Sequence, residues 1–186
     1  QDTDGAYEVL KSLVMYIENE VQLGETRKIN EDVDKRLDAY FERRNNGGIA
    51  GIPTSIIPLD KMLGGIKPTD LITILGFTGT GKTWALAILA CMLAKAGYKI
   101  LFVTREMNPD QMMMRIDALW AGVSYGDFSR GILSPKEEQK LKDFYEHMKS
   151  SMDANLVVEL STGGVTNVSA MIDKHTPDLV LVDGGY

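Results

Sequence analysis

Two kinds of hydrophobic patterning divide the chain. Over residues 6–23, Tyr7, Leu10, Leu13, Val14, Ile17 and Val21 recur at helical spacing with charged residues between them. That spacing predicts an amphipathic helix in need of a partner for its apolar face, with Gly24 as its stop. A second helix is predicted from Asn30, a good N-cap, through Val33, Leu37, Tyr40 and Phe41, ending at the Asn45-Asn46-Gly47-Gly48 break. Nothing nearby in sequence covers its apolar edge, so docking on a neighbouring subunit and packing on its own domain stand as even readings.

From Ile49 onward the pattern changes to short apolar runs separated by longer helical stretches. Leu71-Ile72-Thr73-Ile74-Leu75, residues 99–104, residues 156–160 and Leu179-Val180-Leu181-Val182 read as strands. Between them, Trp84 to Ala94 is almost continuously apolar and reads as a buried helix. Asn108-Pro109 opens another helix with Asn as cap and Pro in the first turn. Ser134-Pro135-Lys136-Glu137 is a capping box that starts a helix running to about residue 149, and one more is predicted near 166–175. Strands spaced by helices predict an α/β fold with a parallel sheet covered on both faces.

The chemistry concentrates at residues 76–83, Gly-Phe-Thr-Gly-Thr-Gly-Lys-Thr, a complete phosphate-binding loop between the apolar run 71–75 and the apolar helix. Gly76, Gly79 and Gly81 let the backbone curl so that successive N–H groups point at an anion. The helix opening at Lys82 adds the positive end of its dipole. Lys82 is expected on the β- and γ-phosphates and the Thr83 hydroxyl on Mg²⁺, with Thr78, Thr80 and Trp84 completing the nucleotide-binding set. The loop thus predicts a nucleoside triphosphate site.

Bulk composition narrows the classes without adding chemistry. The 186 residues suffice for one sizeable core and an appendage, and 44% apolar with 25% charged is ordinary for a globular protein. The one cysteine, Cys91, sits inside the apolar helix, so neither a disulfide framework nor a thiolate metal site is expected. No apolar run is long enough to span a bilayer, and a cytoplasmic location with no membrane partner is the expectation. A net charge of −6 argues against a broad nucleic-acid-binding surface.

Two carboxylates can complete the site. Asp183 follows the last apolar strand, where a carboxylate supports Mg²⁺ directly or through water. Gly184 and Gly185 follow it, so the group that activates water must come from elsewhere. Glu106, just past the strand 99–104, lies at the sheet edge where ligands gather and is the candidate base. Arg105 beside it is left without a role. Met107, Met112, Met113 and Met114 are read as core filling, Arg115 as a surface ion pair, and Arg36, Arg43 and Arg44 as a solvated face. His147 and His175 are isolated in sequence, and no His/Cys metal cluster is visible.

Together these pieces resemble the motor domain of hexameric replicative DNA helicases, the DnaB-like branch of the RecA-like ATPases. Gly51-Ile52-Pro53-Thr54, Leu59-Asp60-Lys61-Met62 and Gly65 resemble the segment before that family's first core strand. Arg105-Glu106-Met107, Gln111 and Met114-Arg115 resemble its glutamate-methionine motif, residues 161–168 a later conserved turn, and Leu181-Val182-Asp183 its metal-supporting strand. The similarity covers about residues 30–186. The loop is more glycine-rich than is usual in the bacterial enzymes, Arg105 replaces an apolar residue, and Gly184-Gly185-Tyr186 departs from the common ending. A phage-encoded or divergent member would accommodate all three, with the host cytoplasm as its location.

The resemblance implies a RecA-like P-loop NTPase with a mainly parallel sheet, incomplete at its C-terminus, preceded by N-terminal helices. The implied divisions are an N-terminal helical segment (1–25), a linker helix and hinge (26–48) and the ATPase domain (49–186). In RecA-like sheets, the strand between the phosphate-loop strand and the Asp183 strand comes later in sequence, which places it after Tyr186. The resemblance further implies ATP and Mg²⁺ as cofactors, Glu106 and Lys82 as catalytic residues, and Thr83 and Asp183 at the metal. Its implied partners are single-stranded DNA, mostly through regions downstream of Tyr186, a homo-hexameric ring in which the linker helix docks on the next subunit, and a primase and a helicase loader. A KaiC- or RadA-like ATPase switch without unwinding, or a nucleotide-binding scaffold without hydrolysis, are the competing readings.

Overall fold

A computed structural model describes residues 28–150 and 155–184. The helix predicted at 6–23 lies outside the described residues. The chain divides into two compact units, Gln1–Asn45 and Asn46–Tyr186.

Within the first unit, α1 spans Val33–Asn45. It starts three residues after the expected cap, because Asn30 lies in a turn. Asp34 in its first turn and Arg43 and Arg44 in its last complement the helix dipole. No residue of α1 is buried; Val33, Leu37 and Tyr40 are each about half exposed, and the Tyr40 and Phe41 rings meet edge-on at 5.4 Å.

The second unit opens with a knot of backbone contacts. Ile52 and Ile66 form an antiparallel bridge, and a Cβ on Gly51 would stand 2.2 Å from the Ile66 carbonyl oxygen, so only glycine fits there. The short helix α2, Ile57–Leu63, was not expected from so few residues. Its Asp60 is buried and accepts hydrogen bonds at 2.6 Å from both the amide and the hydroxyl of Thr54, which fastens the segment on itself.

The remaining elements alternate as expected: α3 (Lys82–Lys95), β1 (Ile100–Thr104), α4 (Pro109–Ala121), α5 (Tyr125–Arg130), α6 (Pro135–Ser150), β2 (Leu156–Leu160), α7 (Val165–His175) and β3 (Leu179–Asp183). The predicted caps form. Asn108 Oδ1 accepts from the Asp110 amide at 2.9 Å, and Ser134 and Glu137 bond reciprocally, Ser134 N–H to Glu137 Oε2 at 3.1 Å and Glu137 N–H to Ser134 Oγ at 3.4 Å. Only α5, six residues capped by Ser124, went unforeseen among these.

The three strands are parallel in the order β2-β1-β3. All five residues of the central β1 are buried, whereas β2 and β3 are partly exposed. The core joins this sheet to α3 and α4: Ala87, Ala90, Leu93 and Ala94 of α3 pack with Phe102, Met112, Ile116, Leu156 and Leu181. The alanines of α3 allow the helix to lie close. Met112 is fully buried and Met107 packs against the core, which bears out core filling for those two, while Met113 is 43% exposed.

One expected strand is absent. Residues 71–75 carry no regular structure, and Leu71 and Leu75 are about nine-tenths exposed. None of the described strands lies beside this run, so its N–H and C=O groups have no ladder to join. An isolated extended segment has no local hydrogen bonds to hold it, unlike a helix.

Candidate nucleotide site

The site is assembled where the sheet's C-terminal edge meets the first turn of α3. Gly79 and Gly81 adopt left-handed conformations (φ 80° and 92°) that other residues tolerate poorly. Between them the loop is cinched by Thr80, whose amide and hydroxyl both donate to the Phe77 carbonyl, at 3.3 and 2.7 Å. A Cβ on Gly76 would come within 2.7 Å of that hydroxyl, so a larger residue there would displace the Thr80 hydroxyl from its bond. Thr78 is exposed in the turn.

Gly81 caps α3 without a side chain, and the first turn holds no acidic residue. The leading N–H groups and the positive end of the dipole are therefore uncompensated by any carboxylate on the helix, an environment that favours an anion. Lys82 adds a cation, its Nζ donating to the Gly76 and Phe77 carbonyls at 2.8 and 3.0 Å. Trp84, expected in the nucleotide-binding set, turns its indole toward Arg115 of α4 and Tyr125 of α5.

Strand register brings the carboxylates to the same place. Thr104 stands opposite Leu160 on one side and Asp183 on the other, so all three strands end level. The ladder continues one step further, with the Arg105 amide donating to the Asp183 carbonyl at 3.0 Å. Asp183 is buried, and its Oδ1 accepts from Thr83 Oγ1 at 3.1 Å across 100 residues of sequence. A hydroxyl and a carboxylate held together beside a phosphate loop are the donor set that a Mg²⁺–triphosphate needs.

Glu106 reaches the same edge. The buried Thr104 hydroxyl accepts from the Met107 amide at 3.1 Å and donates to the Met107 carbonyl at 2.9 Å, which bends the chain sharply around Arg105 and Glu106. The Glu106 side chain then lies over Gly184. A Cβ on Gly184 would stand 2.8 Å from Glu106 Cγ, and Gly184 itself is left-handed at φ 88°. Thus Thr83 and Asp183 are joined directly and Glu106 stands beside the neighbouring Gly184, while Lys82 precedes Thr83 with its ammonium held on the loop carbonyls.

Several contributors were missed from sequence. Thr104 reads there as one more strand residue, and Gly184 as the mere lack of a second acid. Ser161, 2% exposed, donates its amide to the Thr104 carbonyl at 3.0 Å and its hydroxyl to Asn167 Oδ1 at 3.0 Å, tying the end of β2 to the start of α7. A small polar residue ending an apolar strand or directly following it is the signal that could have found both hydroxyls. His175, isolated in sequence, meets the Glu159 carboxylate at 2.5 Å alongside Lys174 at 2.6 Å. Those two partners, Lys174 foremost, hold the Glu159 carboxyl below the usual range. Among the described residues Arg115 has no ion-pair partner; its guanidinium lies against two aromatic rings.

The model of the DnaB-like helicase C terminal domain family matches residues 51–183. The chain belongs to this family. Among relatives, the replicative DNA helicase DnaB of Geobacillus stearothermophilus is 31% identical over 97 residues, covering 52% of this chain and 21% of that protein. The DnaB-like replicative helicase of Enterobacteria phage T4 is 26% identical over 163 residues, covering 82% and 33%. The DNA repair protein RadA of Mycobacterium tuberculosis is 28% identical over 128 residues, covering 64% and 26%. The chain therefore spans about a fifth to a third of these relatives. A solved DnaB-like replicative helicase, described with its interactions with primase, superposes with a TM-score of 0.64 at 15% identity over 97% of this chain and 48% of its own. The RecA-like α/β fold expected for a DnaB-like domain is thereby borne out. No helix among the described residues is long and apolar enough to cross a membrane.

Proposed function

We propose that the chain is the ATP-hydrolysing motor portion of a DnaB-like replicative helicase, coupling turnover to translocation on single-stranded DNA and duplex unwinding. The observation that carries this reading is the joining of Thr83 to Asp183 at 3.1 Å with Glu106 held over the adjoining Gly184. Bound Mg²⁺ would neutralise charge developing on the β- and γ-phosphates. Lys82 exchanges its loop carbonyls for phosphate oxygens, and the N–H groups at the start of α3 take the remainder. Thr83 and Asp183 hold the metal side. Glu106 orients the attacking water and accepts its proton, a role open to it because Gly184 supplies no competing carboxylate.

In this reading residues 49–186 belong to the ATPase domain, 26–48 form the linker and hinge, and 1–25 a further helical segment. The half-exposed apolar face of α1 supports its role as the linker helix that docks on the next subunit of a homo-hexameric ring. Primase and a loader are the expected partners, in the cytoplasm. Similarity to the DNA repair protein RadA favours a second reading, a RadA-like ATPase switch in assembly or recombination without unwinding.

The test pairs two variants. Glu106→Gln should cut ATP turnover by roughly a hundredfold or more while sparing ATP binding, whereas Lys82→Ala should lose binding itself. Unchanged turnover in the first removes Glu106 from the base role; retained tight binding in the second sinks the loop assignment. Strand displacement on a forked duplex by the full-length protein separates helicase from RadA-like switch.

A further inference from the structure

Directly after Thr83, the indole of Trp84 meets the edge of Tyr125 at 5.2 Å and 80°. The Arg115 guanidinium packs on both rings, its Cζ 5.0 Å from the Trp84 centroid and 5.3 Å from that of Tyr125. Arg115 Nε is fully buried and has no hydrogen-bond partner among the described residues. Stripping water from a guanidinium N–H without replacing its bond is unfavourable, so the ring contacts must offset that loss. A surface ion pair would instead leave Nε in water and show a carboxylate partner.

The position of the cluster matters more than its strength. It joins three helices, α3 through Trp84, α4 through Arg115 and α5 through Tyr125. The first of these begins at the phosphate loop, and the second begins just after the turn that carries Glu106. Helix N-termini fray unless capped, and Gly81 gives α3 no side-chain cap. Trp84, in the first turn, anchors α3 to α4 and α5, next to the Thr83–Asp183 bond that ties the same turn to β3. The deep core of α3 starts only at Ala87.

We propose that Arg115 is a positioning residue for the phosphate loop: by clamping Trp84 against Tyr125 it fixes the first turn of α3, from which Lys82 and Thr83 project. This rests on the nucleotide-site reading above. It makes Arg115 act through Trp84 and not on the phosphates, and it ties the loop to the helix that follows Glu106.

The experiment uses the full chain with Trp120→Phe, so that tryptophan emission reports Trp84 alone. Binding of Mg·ATP and Mg·ADP is titrated in this parent and with Arg115→Met, Arg115→Lys and Tyr125→Leu added. Arg115→Met should raise both dissociation constants by roughly three- to thirtyfold, the range expected for loss of a partly desolvated cation–ring contact, and should blunt the nucleotide-induced change in Trp84 emission. Arg115→Lys, which keeps the charge but not the planar stack, should recover part of the affinity. Tyr125→Leu, which leaves cation and indole in place, should weaken binding less than Arg115→Met. Circular dichroism melts give the folded fraction of each variant. Parental affinity and an unaltered Trp84 response in Arg115→Met would overturn the proposal, as would a weakening that vanishes once corrected for folded fraction. Failure of the parent itself to bind either nucleotide would overturn the nucleotide-site reading, and this proposal with it.

Discussion

The two flanks of the phosphate loop are both apolar in sequence and end in opposite environments. On the far side, α3 puts Ala87, Ala90 and Leu93 at 0% exposure. On the near side, Leu71 and Leu75 are each 87% exposed or more. Hydropathy does not separate them; hydrogen bonding does. A helix satisfies its backbone within itself and can then offer a finished surface to the sheet. A strand has to borrow a neighbour, and none of the described strands runs beside residues 71–75.

The largest test of this contrast is chemical. Burial pushes the Cys91 thiol up to about 11, so at neutral pH it is both covered and protonated. A thiol reagent should label native Cys91 roughly a thousandfold more slowly than a cysteine introduced by Leu75→Cys in a Cys91→Ala background, since Cys91 needs an opening of the fold. Comparable rates would mean that α3 is not packed as described.

Next in size is stability. Leu93→Ala removes a fully buried side chain and should destabilise the chain by about 2–5 kcal/mol in urea unfolding, against about 0.5 kcal/mol or less for Leu71→Ala. A large effect at Leu71 would place that side chain against something in solution. At the sheet edge, Gly184→Ala combines a left-handed φ with a close approach to Glu106 and should cost about 1–2 kcal/mol. Its turnover should fall more than its nucleotide affinity; equal losses would separate Gly184 from Glu106. The smallest effect is expected at Glu159. Its folded carboxyl titrates below its unfolded value of 4.5, so its contribution is fully present above that value and fades as pH falls through the depressed one. Glu159→Gln should lower stability slightly at neutral pH, with the difference shrinking to nothing at pH below the depressed value, so that the acid limb is flattened.

Legibility followed the range of the physics involved. Caps at Asn108 and Ser134, the glycine loop and the strands 100–104, 156–160 and 179–183 are local: a few neighbouring residues carry the whole signal. The short helices α2 and α5 have too few residues for a period to emerge. Residues 71–75 went the other way, carrying a strand pattern that folding did not fulfil, because β pattern states a capacity to pair and not the presence of a partner.

By itself, the sequence determined which atoms are available: the backbone curl of Gly76 to Gly81, the ammonium of Lys82, the Thr83 hydroxyl and two carboxylates at strand ends. Tertiary structure decided how they combine. Parallel register, a property of hydrogen bonds between distant segments, put Asp183 level with Thr104 and within 3.1 Å of Thr83. It also turned Gly184 into clearance for Glu106, and Arg115 from an unremarkable helical arginine into the centre of an aromatic clamp beside the loop. Such outcomes depend on which surfaces meet across some tens of residues, and no local pattern encodes that meeting.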